Sequence, residues 1–211
     1  MKTAVIFDLD NTIYPVSSIQ ENLFGQLFDL LDQNVVIIDD GSPGKVQLIK
    51  EEMTRRPFQY IVDKYQLNEA VRDRMLDTLR NMAYTLPMEP FADYHDLKTI
   101  ALDKFLVTTG FPKLQFSKIK QLGIEQDFKE IIVVDPDKGN TTKKEVFADI
   151  ISRHYYQPED LLIIGDDPES EIKAALSLGI DTFLFDPHHI YPDVATTHRS
   201  NSLKDVLLIL S

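Results

Sequence analysis

Two aspartates stand one residue apart directly after an apolar run: Ala4-Val5-Ile6-Phe7 leads into Asp8-Leu9-Asp10-Asn11-Thr12. The run reads as a buried strand. It sets two carboxylates at the rim of a core, where negative charge is costly without a partner. A divalent cation is the natural partner, and a carboxylate held against a cation can attack phosphorus. Three further polar groups follow apolar runs in the same way. Thr108-Thr109-Gly110 follows Leu106-Val107; Lys138, Lys143 and Lys144 lie in or just after the loop behind Val134; and Gly165-Asp166-Asp167 follows residues 161–164, with Glu171 one helical turn on. Taken singly each has a plainer reading. Asp8 and Asp10 suit a turn, Thr108 and Thr109 suit a strand end, and first-turn lysines are usually solvated.

The elements that must position these residues are legible as patterns. Residues 3–7, 105–108, 130–134, 161–164 and 182–185 are apolar and rich in β-branched residues. Continuous runs of this kind suit a parallel sheet covered on both faces. Helical spacing fills 112–122, stopped by Gly123, then 142–156, then 169–178, stopped by Gly179. Alternation of strand and helix predicts an α/β fold with a doubly wound parallel sheet. Ligands of such sheets bind beyond the carboxyl ends of the strands, where all four polar groups fall.

One stretch breaks the rhythm. From about Val16 to Ala83 the spacing is helical, clearest in 22–31, 58–65 and 70–83, with a loop at Gly41-Ser42-Pro43-Gly44. Val35-Val36-Ile37-Ile38 reads either as a short strand or as one buried helix turn. A crossover needs only one helix, so the expectation is a small inserted helical cap domain at 16–85. A core domain of 1–15 and 86–211 would surround it, with Leu86-Pro87-Met88-Glu89-Pro90 marking the return.

Composition narrows the classes. A net charge of −12 argues against nucleic acid polymers and anionic membranes as principal partners. An acidic protein binds phosphate only through a local device: a metal, a lysine or backbone N–H groups. The absence of cysteine excludes disulfides and thiolate metal sites. No stretch reaches the length of a membrane span and no signal-peptide pattern is visible, so the cytoplasm is the expected location. His188-His189 reads as loop, and Tyr155-Tyr156 as packing residues near a helix end.

Together the four groups resemble the signature of the haloacid dehalogenase superfamily, in its phosphatase branch. Asp8, Asp10 and Thr12 match its Asp-x-Asp-x-Thr motif, Thr108 its strand-terminal Ser/Thr, and Gly165-Asp166 its Gly-Asp. Thr109 replaces a common Asn before Gly110, Glu171 stands where Asp is more usual, and Thr-Thr-Lys-Lys replaces the usual Lys-Pro arrangement. Residues 108–123, with Gln115, Lys118 and Leu122, also look like the family's helix after its second motif. The opening through Tyr14-Pro15 is similar to the pyrimidine 5′-nucleotidase-like branch.

The resemblance implies a Rossmann-like core with a helical cap and a Mg²⁺-dependent phosphomonoester hydrolase acting on a small phosphorylated metabolite. Nucleotide monophosphates, sugar phosphates and phosphoglycolate all remain open, as do monomer and homodimer. Asp8 is the implied nucleophile, giving an aspartyl-phosphate. Asp10 would protonate the leaving alcohol and then deprotonate water, which favours phosphate over halide chemistry. Mg²⁺ would take carboxylate oxygens from Asp8 and Asp166 and the backbone carbonyl of Asp10. Thr108, Thr109 and Lys143 would bind the phosphoryl group, with Lys144 and Lys138 as other candidates for the lysine. Thr12 would orient Asp10, while Asp167 and Glu171 would hold metal-bound waters or the lysine. Lys45, Lys50, Arg55, Arg56 and Lys64 could read the leaving group. A phosphomutase, a phosphate-binding protein that has lost turnover, and a phospho-acceptor signalling module are the competing readings.

Overall fold

The run Ala4–Phe7 forms β1, buried at every residue, inside a six-stranded sheet. The computed structural model describes residues 2–39, 44–54, 56, 58–139 and 141–210. The other strands are β2 (Asp103–Thr109), β3 (Glu130–Val134), β4 (Leu161–Gly165), β5 (Asp181–Phe185) and β6 (His198–Ser200). All pair in parallel, in the order β3-β2-β1-β4-β5-β6. The five expected strands are present. β6 was not expected, because His-Arg-Ser carries no apolar run; β5 recruits it through backbone pairing that continues to Asp186 N–H on the Ser200 carbonyl at 2.8 Å.

Of the described helices between β1 and β2, those in the inserted stretch are α1 (Gln20–Gln33), α2 (Val35–Asp39), α3 (Lys45–Met53), α4 (Phe58–Tyr65) and α5 (Glu69–Asn81). Leu23, Leu27 and Leu31 recur every fourth residue of α1 and pack with Ile49, Ile61, Met75 and Leu79 of its neighbours. Of the ambiguous 35–38 stretch, the structure makes a helical turn that buries only Ile38; Val36 is 91% exposed. The loop expected at 41–44 lies outside the described residues except for Gly44, which caps α3 in the left-handed region at φ 90°.

The remaining helices are α6 (Tyr94–Leu97), α7 (Pro112–Leu122), α8 (Lys143–His154), α9 (Lys173–Leu176) and α10 (Asp205–Leu210). Strand side chains alternate between two faces. Val5, Phe7, Leu106 and Ile164 pack with Tyr94, Ile119 and Val206 of α6, α7 and α10. Ala4, Ile6, Phe105 and Ile163 pack with Phe147, Ile150 and Ala175 of α8 and α9. Helices thus cover both faces, as expected. The helix expected at 169–178 is instead a π-helical turn, Pro168–Ile172, followed by the short α9. Tyr156 packs against Phe105 and His154, but Tyr155 is 90% exposed in the left-handed region, where it ends α8. Its expected packing role fails because the helix stop turns its side chain outward. Among the described residues, no helix is long and apolar enough to cross a membrane.

The inserted helices are tied to the loops at the strand ends. Arg80 of α5 pairs with Asp137 behind β3 at 2.5 and 3.0 Å, and Lys113 of α7 donates to the Asn81 carbonyl at 2.6 Å.

Candidate active site

Strand order reverses at β1, which has β2 on one side and β4 on the other. Such a switch point leaves a crevice at the carboxyl ends of the strands. Asp8 extends β1 into it, its N–H bonded to the Ile164 carbonyl at 2.9 Å. The chain then turns at once. The Leu9 carbonyl accepts from Thr12 N–H at 3.3 Å and Ile13 N–H at 2.9 Å. Asn11 takes the left-handed region at φ 58°, and its side chain accepts from Val16 N–H at 3.0 Å. This tight turn gives Asp8 and Asp10 different surroundings.

Asp8 faces β4 and α8. Lys143 Nζ donates to Asp8 Oδ1 at 2.5 Å and to Glu171 Oε2 at 2.7 Å, all three groups being buried. Oxygens of Asp8, Asp166 and Glu171 lie within 4.8 Å of one another. Burial pushes the Asp8 carboxyl up to about 7; Lys143 works against this, and Glu171 and Asp10 add to it. Asp166 is raised well above the carboxylate range by burial and by the charges of Glu171 and Asp8. Burial by itself lowers the Lys143 pKa, but Asp8 and Glu171 outweigh it and hold the ammonium. One lysine therefore faces three crowded carboxyl groups, more acid than its single charge can balance once all are ionised. That surplus, with an all-oxygen donor set, fits a hard divalent cation.

Glu171 reaches this cluster because Gly165 has no side chain. A Cβ there would stand 2.3 Å from Glu171 Cγ. Glu171 Oε1 also accepts from Asp167 N–H at 2.8 Å. Glu171, read from sequence as a holder of waters or of the lysine, thus lies directly among the possible metal ligands. The expected partner of Thr12 also changes: its buried hydroxyl donates to Asp166 Oδ1 at 3.4 Å, not to Asp10. The turn at Leu9 directs Thr12 toward β4. Asp167 caps the π-helical turn by accepting from Glu169 N–H at 2.9 Å.

Asp10 faces α7. Its Oδ1 accepts from Tyr14 OH and from Lys118 Nζ at 2.8 Å, and its Oδ2 accepts from Gln115 Nε2 at 2.9 Å and Lys118 Nζ at 3.2 Å. Burial alone would raise its pKa. The Lys118 ammonium and the hydrogen bonds from Lys118, Tyr14 and Gln115 prevail and hold the carboxyl below its usual range. Asp10 is thus an ionised proton acceptor in this state. The Asp10 carboxylate lies outside the acidic cluster, so any metal contact expected of this residue falls to its backbone.

Gln115 Nε2 also donates to Thr108 Oγ1 at 2.7 Å and to the Thr109 carbonyl at 3.3 Å. Thr108 is buried with its hydroxyl proton free to donate, while Thr109 is exposed. Tyr14, Gln115 and Lys118 carry the Asp10 environment without having been assigned to it from sequence. The available signal was spacing: Gln115 and Lys118 are three apart, hence on one face of α7.

Of the three candidate lysines, Lys143 meets Asp8, Lys138 is exposed at 3.8 Å from Asp135, and Lys144 is exposed. A cavity of about 390 Å³ opens over the strand ends and is bounded on its far side by α1, α3, α4 and α5. Of the basic residues named in the inserted segment, Arg56 lines it, 4.0 Å from Asp167. Lys50 and Lys64 are paired to Asp32 and Glu52, Lys45 lines a separate hollow beside Tyr65, and Arg55 lies outside the described residues. His188 and His189 are exposed loop residues.

Residues 2–179 match the family described as haloacid dehalogenase-like hydrolase. The chain belongs to this family. Among its relatives is the HAD-hydrolase YfnB of Bacillus subtilis. It is 22% identical, covering 98% of this chain and 94% of its own. Its magnesium-bound crystal structure superposes with a TM-score of 0.63 at 20% identity, over 99% of this chain and 98% of that one. The glyceraldehyde 3-phosphate phosphatase of Methanopyrus kandleri is 24% identical over 86% of this chain and 83% of its own. Pyrimidine 5′-nucleotidase PynA of Streptococcus pneumoniae is 26% identical over 50% of this chain and 46% of its own. As a haloacid dehalogenase-like hydrolase, the chain is an enzyme whose fold follows the sequence expectation.

Proposed function

We propose that this hydrolase is a Mg²⁺-dependent phosphomonoesterase that works through an aspartyl-phosphate on Asp8. The observation that carries the reading is the pairing of two differently dressed carboxylates at one switch point. Asp8 sits with Lys143, Asp166 and Glu171; Asp10 sits with Lys118, Tyr14 and Gln115. The phosphatases among its relatives support the same class of substrate.

Asp8, Asp166 and Glu171 would hold the ion. When bound, Mg²⁺ supplies positive charge that lowers the repulsion between an anionic nucleophile and an anionic ester. Asp8 attacks phosphorus, the P–O bond to the alcohol breaks, and the phosphoryl group is carried as an acyl phosphate. Lys143 and the Thr108 hydroxyl bind the phosphoryl oxygens. Asp10 begins as an anion. The charge of a phosphoryl group brought beside it raises its pKa, so that it takes up a proton from water as the substrate binds and hands it to the leaving oxygen. It then takes one from the water that hydrolyses the acyl phosphate. The helices of 16–85 act as a cap that excludes water and contacts the leaving group.

The test is phosphate release from a set of phosphomonoesters with Mg²⁺, repeated with Asp8→Asn. Loss of at least about 10⁴-fold is expected for removal of the nucleophile. Retained turnover in Asp8→Asn would refute the mechanism.

A further inference from the structure

The cavity has two unlike ends. Its floor is the polar cluster of the strand ends. Its far wall is mostly apolar, built from Phe24 and Leu27 of α1, Met53 of α3, Phe58 of α4, and Leu76 and Leu79 of α5, and broken by Thr54, Arg56 and Gln59. Phe24, Phe58 and Leu76 are only partly buried by the protein, so the cavity exposes apolar surface that a ligand could cover. The cations that line the cavity among the described residues are Arg56, Lys118 and Lys143. Lys118 is committed to Asp10 and Lys143 to Asp8 and Glu171, while Arg56 stands by Asp167. Of these described cations, Arg56 alone makes no hydrogen bond to its acid, so charge at this wall does not by itself exclude a second anion. The hydroxyls of a sugar would lose water without replacement hydrogen bonds along most of this wall, which costs free energy.

Resting on the phosphatase reading, we infer that the substrate is the phosphate monoester of an apolar alcohol, with an alkyl or aryl leaving group, and not a sugar phosphate. The phosphoryl group lies on the polar floor and the organic group is covered by α1, α4 and α5. Burial of apolar surface then supplies specificity, at about 0.8 kcal/mol per methylene, or nearly fourfold in kcat/KM.

The experiment compares primary alkyl phosphates from ethyl to hexyl with glycerol phosphate and a hexose 6-phosphate, all in Mg²⁺. Primary alcohols keep leaving-group chemistry similar, so differences report on the wall. The expected result is a rise of about three- to fourfold per methylene until the cavity fills. Hexyl phosphate should exceed the hexose ester by more than tenfold. Leu76→Asn and Phe24→Asn, at partly exposed positions, should each lower the hexyl-to-ethyl ratio several-fold. Alkylphosphonates, which cannot be hydrolysed, should inhibit with the same chain-length slope. A flat series, or preference for glycerol or hexose phosphate, overturns the inference and leaves the phosphatase reading standing. No release from any ester overturns that reading, and the inference falls with it.

Discussion

Replacing Gly165 by alanine should disable the site through one contact. The new Cβ would lie 2.3 Å from Cγ and Oε1 of Glu171 and 2.6 Å from its Cδ. Carbon atoms at optimal separation stand about 3.5–4.0 Å apart, so Glu171 must retreat by roughly 1 Å or more. It is not free to do so: its carboxylate holds Lys143 at 2.7 Å and Asp167 N–H at 2.8 Å, and the residue is buried. Gly165 is not among the residues with positive φ, so alanine meets no backbone penalty there. Misplacement of about 1 Å in a catalytic constellation costs about 10²-fold, and that loss is expected in kcat/KM with Mg²⁺. Overpacking should also lower stability by about 1–3 kcal/mol, measured by denaturant unfolding. The decisive assay is a double-mutant cycle. Glu171→Ala removes the obstacle, so adding Gly165→Ala to it should change kcat/KM by less than about threefold, a coupling near 2 kcal/mol. A hundredfold further loss in that background, or near wild-type activity of Gly165→Ala alone, would refute the reasoning.

Other outcomes follow from the same geometry. Lys118→Met removes the cation that keeps Asp10 ionised, so the acidic limb of the kcat/KM–pH profile should move to higher pH; an unmoved limb would separate Lys118 from the chemistry. Lys143→Met should lower kcat by about 10²–10³-fold, read in single-turnover phosphate release. With metal chelated, stability should fall as pH rises from about 4 through about 7. Asp8 is raised to about 7 by burial, with Glu171 adding and Lys143 opposing, so its folded form keeps a proton that the unfolded chain gives up. Mg²⁺ should oppose that fall, by about 2.7 kcal/mol at a hundred times its dissociation constant. Asp166→Asn should be more stable than the parent without metal, because the cost of burying or protonating that carboxyl on folding is gone, and should lose the Mg²⁺-dependent shift in Tm.

The period of the apolar runs determined five of the strands, since a strand buried on both faces is readable as unbroken apolar sequence. It was silent on β6, whose place comes from backbone pairing alone. Local chemistry also marked Asp8, Asp10, Thr108 and Asp166, each placed just past such a run. Sequence favoured Lys143 for its place at the helix start but left Lys138 and Lys144 open, because which lysine turns inward depends on how α8 seats against the sheet. The partners of Asp10 belong to the same class. Gln115 and Lys118 lie more than a hundred residues from it and meet it only because β2 pairs beside β1 and α7 packs back over both. Likewise, Thr12 was close in sequence to Asp10 yet turned to Asp166, since the left-handed residue at Asn11 folds the loop back on itself. Sequence determined which residues could do chemistry, because residue type and strand period are local properties. Tertiary structure decided which charges face one another, because that depends on packing between segments that sequence order keeps apart.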